Sequence, residues 1–343
     1  MTDKAQEPKS SPASPRSAHG ESAPQGSGAL IGVVHRKALG CYDVFHDGQW
    51  TSCAVSSKLR KDLVLSTDNP RAERRQTTQV KRIRQIDPVA VGDRVEFHRA
   101  ADGAGLIQRV LPRSNQLSRK AAHQDREQII AANIDQAAAI MAAALPWPSW
   151  ELMDRYLACA ELSGMPALVC ISKMDLADAE EIERETRVYR AIGYRVVATC
   201  ALTGEGIEEL RGELAGRLTA LIGKSGVGKT SLLNALEPGL GLKVGEVSQA
   251  TLKGRHTTSQ PSLHPLACGG AVIDTPGTRE FDFWNPGDMA PAWLFREMRP
   301  YLGLCRFGEG CAHKSEPGCA IKEAVERGEI SARRYESFLQ LAQ

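Results

Sequence analysis

The sequence predicts a multidomain α/β protein with a small N-terminal β-barrel, a central parallel sheet flanked by helices, and a small C-terminal helical domain. Short alternating strands separated by turn residues fill residues 30–117, and strands alternate with helical segments over residues 129–283. A cysteine cluster and two helical segments end the chain. Repeated βα units favour a mainly parallel sheet whose ligands bind at the carboxyl ends of its strands.

The bulk composition is that of a globular chain with room for two or three domains. The chain has 343 residues, of which 42% are apolar and 24% charged. Its longest apolar run, 137–145, is far shorter than the ~20 residues that cross a bilayer, and residues 1–28 show no secretory signal. We therefore expect a cytoplasmic protein without a membrane partner, preceded by a disordered tail over residues 1–28 that is rich in Ser, Pro and Gly.

The first strand-rich region, residues 29–117, is predicted to be an OB-fold barrel, although an SH3-like barrel fits the same pattern. Its strands are IGVVHRK, CYDVFHD, WTSCAVS, GDRVEFHRA and GLIQRVL, with turns at Gly48-Gln49 and Asp102-Gly103. Residues 1–120 carry 20 Lys and Arg against 12 Asp and Glu, a net charge of +8, while the remainder carries −6. This asymmetry indicates a polyanionic partner such as RNA, and a merely solvated basic face is equally compatible with charge alone.

A phosphate-binding loop is predicted at residues 223–230, where GKSGVGKT matches G-x-x-x-x-G-K-[ST] between a strand and a helix. Backbone N–H groups and the helix N-terminus of such a loop bind phosphates. We expect Lys229 to reach the β- and γ-phosphates of a nucleotide and the Thr230 hydroxyl to ligate Mg²⁺, so both are candidate catalytic residues. The predicted phosphate-binding residues are Gly223, Lys224, Ser225, Gly226, Val227, Gly228, Lys229, Thr230 and Ser231.

Two further segments complete a magnesium–triphosphate site. Asp274 ends the strand AVID, where the acid of P-loop enzymes holds Mg²⁺, and the Gly277 N–H is suited to contact the γ-phosphate. The polar segment LKGRHTTS, residues 252–259, suits a switch I loop in which Thr257 or Thr258 completes the Mg²⁺ shell. The sequence does not choose between these two threonines.

Guanine specificity is predicted from SKMD at residues 172–175, which follows an apolar strand and resembles the GTPase segment [NT]-K-x-D. Asp175 can accept hydrogen bonds from guanine N1 and N2, which adenine cannot donate, and the Lys173 stem can pack along the base. Ala201, in the later segment CALTGEG, stands where a backbone N–H contacts guanine O6. The predicted base-binding residues are Ser172, Lys173, Met174, Asp175 and Ala201.

The order of these segments predicts a circular permutation. Both base-reading segments precede the phosphate loop, whereas a GTPase usually begins with that loop. Since the termini of a compact domain lie at its surface and often close together, a sheet can be cut and rejoined without losing its site. We therefore predict a circularly permuted P-loop GTPase domain over residues 118–284, whose switch II leads directly into the C-terminal domain.

The C-terminal residues 285–343 are predicted to form a helical zinc-binding domain. Residues 284–303 are expected to be helical after a Pro-Gly entry, and residues 321–342 to form a helical pair broken near Gly328. Between them lies C-x5-C-x-H-x5-C, in which three thiolates and one imidazole make a closed structural zinc set. The predicted zinc ligands are Cys305, Cys311, His313 and Cys319.

This combination resembles the ribosome-small-subunit-dependent GTPase family, RsgA (YjeQ), over nearly all of residues 30–343. The resemblance lies in GDRVEF at 92–97, GKSGVGKTSL at 223–232, KGRHTT at 253–258, DTPGTREF at 274–281, CAHKSEPGCA at 311–320 and EISARRYESF at 329–338. It implies a monomeric cytoplasmic GTPase that binds the 30S subunit late in its maturation, with subunit-stimulated hydrolysis coupled to release. It also implies one zinc ion, Mg²⁺ with GTP, and contact of the barrel with 16S rRNA.

The sequence departs from the family pattern at three points. Ser172 stands where the family usually has Asn, so a side-chain amide that braces the phosphate loop is absent, and restoring Asn is expected to tighten GTP binding. Cys305 and Cys311 are separated by five residues where four are usual, which makes Cys305 the least secure ligand. Like the family, the chain lacks the water-orienting Gln of Ras-like enzymes, but it has Thr278 where the family usually has an apolar residue. His256 is our candidate for orienting the water.

Two other functions fit the same segments. The chain could be a nucleotide-gated rRNA-binding module with little turnover, or a permuted GTPase that acts on the large subunit. Phosphate release with and without 30S subunits separates the first of these from a subunit-stimulated enzyme.

Overall fold

The computed structural model describes residues 28–38, 40–62, 87–120, 127–244, 260–275 and 290–342, and every structural statement below concerns these ranges. The predicted tail at 1–28 lies outside them except for its last residue. The predicted switch I loop, residues 252–259, lies entirely outside them. Within the described part, no helix combines the length and the apolar character needed to cross a bilayer.

The N-terminal strands close into a five-stranded barrel. β1 pairs with both β2 and β4, and β3 pairs in parallel with β5, which gives the closed order β1-β2-β3-β5-β4. This is the order of an OB-fold, so the SH3-like alternative is excluded. The alternating inward side chains, among them Val34, Val44 and Phe97, form the barrel core. The elements are β1 (Leu30–Ala38), β2 (Cys41–His46), β3 (Gln49–Val55), α1 (Ser57–Asp62), β4 (Arg94–Arg99) and β5 (Gly105–Val110).

A separate hairpin follows the barrel, formed by β6 (Gln116–Lys120) and β7 (Glu127–Ala132). This hairpin was not among the strands predicted from the sequence. The predicted boundary at 117/118 falls inside β6, and the domain limits remain predictions. Next to the hairpin, Arg113 makes two 2.7 Å bonds to the fully buried carboxylate of Asp93, which anchors the GDRVEF segment.

The central sheet is parallel in the order β10-β9-β8-β11-β13, with the antiparallel β12 beside β13. Apolar residues of α2 and α3 pack on one face of the sheet, and those of α4 and α5 pack on the other. The strands are β8 (Gln136–Ala142), β9 (Ala167–Ser172), β10 (Arg195–Ala198), β11 (Leu218–Ile222), β12 (Ser262–Pro265) and β13 (Ala271–Asp274). The helices are α2 (Trp150–Leu162), α3 (Ala179–Ala191), α4 (Ile207–Leu214) and α5 (Lys229–Leu236).

Strand β12 joins the central sheet to the barrel. Ser262 is opposite Asp274 of β13 and also opposite Arg36 of β1, so the two domains share one eleven-stranded sheet. This four-residue strand was not predicted, because it is too short to show a clear alternation of apolar and polar residues.

The C-terminal region is helical, but its first part differs from the prediction. Instead of a regular helix over 284–303, the described residues form two short 3₁₀ helices, Pro291–Leu294 and Arg296–Tyr301. Pro300 lies inside the second one and cannot donate a backbone hydrogen bond, which disfavours a longer α-helix there. The predicted helical pair is confirmed as α6 (Ala320–Glu326) and α7 (Ala332–Leu341), with Gly328 at φ +76° between them.

A buried ionic cluster fixes the C-terminal region to α2. The fully buried carboxylate of Asp154 accepts hydrogen bonds from Tyr189, Arg334 and Ser337 at 2.7, 2.8 and 2.7 Å. Arg334 is itself 1% exposed and also pairs with Glu297 at 2.7 Å. The opposite charges of this cluster compensate the desolvation of each group. Removal of one partner therefore lowers the stability of the fold, because it leaves a buried charge without compensation.

A second ionic contact joins the same two regions two turns further along α2. Glu161 accepts from Arg296 and Arg299, both at 2.6 Å. Burial tends to raise the pKa of Glu161, but the hydrogen bonds from the two guanidinium groups prevail and lower it. Neither cluster was anticipated from the sequence, because the residues of α2 and their C-terminal partners are more than 130 residues apart.

Candidate nucleotide site and metal cluster

The predicted nucleotide-binding segments meet at the carboxyl edge of the parallel sheet. The loops after β9, β10 and β11 surround a cavity of about 310 Å³, and β13 ends at the same edge. Its lining includes Ser172, Lys173, Asp175, Ala201, Gly228 and Ser231. Residues up to 87 positions apart in the sequence, Leu145 and Leu232, thus line one space of the size of a small-ligand site.

The phosphate loop has the backbone geometry that its glycines predict. Gly228 has φ +94°, a left-handed conformation that favours glycine, and α5 begins at the next residue. A Cβ on Gly223 would lie 2.6 Å from the carbonyl oxygen of Ile140, so a side chain there would collide with β8. The N-terminus of α5 therefore faces the loop, as an anion-binding site requires.

Lys229 lies inside this loop. Its ammonium donates to the carbonyl oxygens of Gly223 at 2.6 Å and Lys224 at 3.3 Å, and the side chain is 8% exposed. Burial lowers the pKa of Lys229 to about 8, and the nearby carboxylate of Asp274 opposes this shift. A phosphate group would offer this desolvated cation a stronger partner than the two carbonyls.

The first two residues of SKMD hold the phosphate loop. The Ser172 hydroxyl, 1% exposed, donates to the Val227 carbonyl at 2.5 Å, with the Met141 carbonyl 3.3 Å away. Lys173, in a left-handed conformation at φ +60°, donates from Nζ to the Gly226 carbonyl at 2.7 Å. The segment predicted to read the base therefore also braces the phosphate loop, and the hydroxyl at 172 replaces part of the amide brace expected at this position.

A cysteine holds the carboxylate that is predicted to read guanine. Cys200 donates its thiol to Oδ1 of Asp175 at 3.1 Å, and the Met174 N–H donates to the Thr199 carbonyl at 3.2 Å. These contacts join the SKMD loop to the loop that carries Ala201. Cys200 was not among the predicted site residues, although it stands directly before Ala201.

The two described residues that are predicted to ligate Mg²⁺ lie at or beside the phosphate loop. Asp274, 2% exposed, ends β13 next to β11, and Thr230 lies in the first turn of α5. The carboxylate is near enough to Lys229 to oppose the fall of its pKa. A carboxylate and a hydroxyl at a phosphate loop are donors that Mg²⁺ prefers, so the residues fit this ion.

Five other predicted residues lie outside the described part of the chain. They are His256, Thr257, Thr258, Gly277 and Thr278. Their roles remain predictions.

Comparison with known proteins decides the family. The family model described as RsgA GTPase matches residues 110–284. A small ribosomal subunit biogenesis GTPase RsgA of Gemmatimonas aurantiaca is 46% identical over 256 residues, which are 74% of this chain and 83% of that protein. The chain belongs to the RsgA GTPase family. The protein of the same name from Bacteroides fragilis is 35% identical over 317 residues, which are 91% of this chain and 96% of that protein.

Two solved structures extend the RsgA likeness to the three-dimensional fold. YjeQ from Thermotoga maritima, 30% identical, superposes with a TM-score of 0.66 over 92% of this chain and 97% of its own. YloQ, described as a circularly permuted GTPase, is 25% identical and has a TM-score of 0.62 over 96% of both chains. The predicted family, the permuted arrangement and the GTP hydrolase class are confirmed.

The four predicted zinc ligands form one buried cluster in this RsgA chain. The ligand atoms of Cys305, Cys311, His313 and Cys319 all lie within 4.8 Å of one another. The Cys305 and Cys319 sulfurs are 3.9 Å apart, and His313 Nδ1 is 3.4 and 3.5 Å from them. The unusual spacing before Cys311 does not remove Cys305 from the cluster.

These separations suit a tetrahedral zinc site. Two thiolates bound to one zinc lie about 3.8 Å apart, and a thiolate and an imidazole nitrogen about 3.6 Å apart, from the usual bond lengths. Helix α7 supports the cluster, since the Tyr335 hydroxyl donates to the His313 carbonyl at 2.7 Å and the Phe338 ring lies against the imidazole. The cluster can therefore hold one zinc ion and fix the surrounding loop.

Proposed function

We propose that this chain is a cytoplasmic GTPase that binds the 30S ribosomal subunit and couples subunit-stimulated GTP hydrolysis to late 30S maturation and release. The observation that carries the proposal is that the candidate nucleotide site is joined to both flanking regions, to the barrel by β12 and to the C-terminal region by α2. The relatives named small ribosomal subunit biogenesis GTPases support the same role.

The nucleotide is bound by its base and by its phosphates. Asp175 accepts from the guanine N1 and N2 groups, the Ala201 N–H donates to O6, and the phosphate-loop N–H groups together with Lys229 bind the phosphates. Thr230 and Asp274 would hold Mg²⁺, with Thr257 or Thr258 added in the triphosphate state. When bound, the ion neutralises charge that develops between the β- and γ-phosphates.

Water activation is assigned to the segments near the γ-phosphate. Thr278 replaces the water-orienting Gln of Ras-like enzymes, so turnover without the subunit is slow. His256 orients the attacking water once the subunit is bound, and the Gly277 N–H contacts the γ-phosphate. The subunit thereby supplies order that the free enzyme lacks.

The flanking domains bind the subunit. The basic N-terminal part, with its net charge of +8 over residues 1–120, contacts 16S rRNA through the barrel. One structural zinc ion held by Cys305, Cys311, His313 and Cys319 fixes the C-terminal domain. The protein acts as a monomer.

The deciding experiment is multiple-turnover phosphate release from GTP with Mg²⁺, with purified 30S subunits, with 50S subunits and with neither. Stimulation by 30S alone is expected, and the Lys229→Ala variant is the inactive control. Co-sedimentation with 30S without stimulation would instead indicate a nucleotide-gated binding module, and stimulation by 50S an enzyme of the large subunit.

A further inference from the structure

Three aromatic rings cluster on the outer face of the barrel, away from its core. Trp50 on β3 is the cross-strand partner of Phe45 on β2, and their ring centroids are 5.0 Å apart. His35 on β1 meets Trp50 edge-on at 4.9 Å and Phe45 at 5.3 Å. Trp50 is nevertheless 55% exposed, whereas His35 is 6% exposed.

The cluster holds the indole in place while much of it stays open to solvent. Successive side chains of a strand point to opposite faces. Since Thr51 is 3% exposed and points inward, its neighbour Trp50 points outward. His35 lies at the irregularity in the β1–β2 register between Val34 and Arg36. Burial, with Arg36 and His264 nearby, lowers the pKa of His35 to about 4, so the supporting ring stays neutral near pH 7.

The position and the surrounding charge favour a nucleobase as the occupant of this surface. In OB-folds the face of strands 2 and 3 binds oligonucleotides, and exposed aromatic rings there stack bases of any sequence. Arg36 is exposed on the neighbouring strand and makes no ion pair within the described residues. Residues 63–86, inserted between α1 and β4 of the barrel, contain six Lys and Arg against two Asp and Glu.

We propose that Trp50, backed by Phe45 and His35, is a stacking platform for one unpaired base of the small-subunit rRNA. This inference rests on the proposed function and adds to it a base contact beside the phosphate contacts of the basic residues. Because a stacked base requires unpaired RNA, the platform would favour a subunit whose RNA at this point is still open.

The test compares binding to purified 30S subunits by co-sedimentation with a non-hydrolysable GTP analogue. Trp50→Ala is expected to weaken binding about 5- to 150-fold, whereas Trp50→Phe retains a ring and should stay within about threefold of the unchanged chain. The slope of log affinity against log salt concentration should stay the same, since the substitution removes no cationic side chain. Ile31→Ala is the matched control, because Ile31 is a 49% exposed apolar residue on β1 of the same barrel.

Base-specific chemical probing of the bound subunit identifies the contact. A base whose reactivity changes with the unchanged chain, and not with Trp50→Ala, supports the platform. If Trp50→Ala binds as tightly as the unchanged chain, the platform is refuted while the proposed function stands. Weakened binding with no such base indicates a ribosomal protein and also refutes it. If the unchanged chain does not bind 30S, both proposals fail together.

Discussion

Substitution of Ser172 tests how the base-reading segment braces the phosphate loop. A hydroxyl has one proton, and here it serves the Val227 carbonyl at 2.5 Å, while the Met141 carbonyl lies 3.3 Å away. The amide of Ser172→Asn has two N–H donors and could serve both. The position also borders the cavity of about 310 Å³, which gives room for the added atoms.

The expected size of the effect follows from this count of hydrogen bonds. One added bond stabilises by about 0.5–1.5 kcal/mol, which corresponds to GTP binding about 2- to 12-fold tighter if the brace acts wholly by ordering the free loop. Ser172→Ala instead leaves a buried carbonyl without its donor. That costs about 1–3 kcal/mol, which corresponds to GTP binding about 5- to 150-fold weaker if the whole cost falls on binding.

Titration with a fluorescent GTP analogue in the presence of Mg²⁺ measures both variants, and urea unfolding reports the share of the effect that falls on stability. Ser163→Ala is the control, because its hydroxyl donates to the Cys159 carbonyl at 3.0 Å away from the nucleotide site. Unchanged GTP affinity in Ser172→Asn would refute the two-carbonyl account. Native affinity in Ser172→Ala would show that the hydroxyl is no brace at all.

Four further outcomes are expected. Asp175→Asn should weaken GTP binding by about 100-fold or more, because two hydrogen bonds to a charged group are lost, and should favour xanthosine triphosphate in competition; retained preference for GTP would contradict this role. Purified protein should contain one zinc per chain by elemental analysis, and Cys305→Ala should lose it, with faster hydrogen exchange in the C-terminal helices; full retention would exclude Cys305 as a ligand. Asp154→Ala should lower the free energy of unfolding by about 3–5 kcal/mol, since Arg334 stays buried with one partner fewer, and a loss below 1 kcal/mol in urea would count against the buried cluster. His256→Ala should abolish most 30S-stimulated phosphate release with little change in GTP binding; full stimulation would exclude its catalytic role.

Local patterns were enough to predict most of the fold. The alternation of the barrel strands, the βα repeats and the glycine-rich loop each depend on neighbouring residues, and each appears in the structure where it was expected. The predicted zinc ligands could likewise be recognised, because Cys311 and His313 stand two residues apart and Cys319 follows six residues later. Such signals are short in sequence, so one chain suffices to recognise them.

The contacts that join the domains could not be read in this way. Asp154 and Arg334 are 180 residues apart, and each reads as an ordinary charged position on an amphipathic helix. Ser262 lies in a strand of four residues, and its two partners come from different domains. Cys200 was missed for another reason, because a thiol acting as a hydrogen-bond donor to Asp175 has no distinctive pattern. Side-chain partnership across the fold, rather than propensity, decides all three.

The nucleotide site is bounded by two of these joining elements. On one side, the backbone of Ser262 is paired with Asp274, a candidate Mg²⁺ ligand, and with Arg36 of the barrel, so a displacement of β12 moves both ladders together. On the other side, α2 begins at a loop that borders the phosphate loop near Val227, and its Asp154 is bonded to the C-terminal α7. Since packed ladders and buried ion pairs resist continuous deformation, the GTPase site cannot shift either element without changing the position of a flanking domain. The candidate nucleotide site therefore lies between the two regions that we propose hold the subunit, an arrangement that suits the proposed GTP-dependent release.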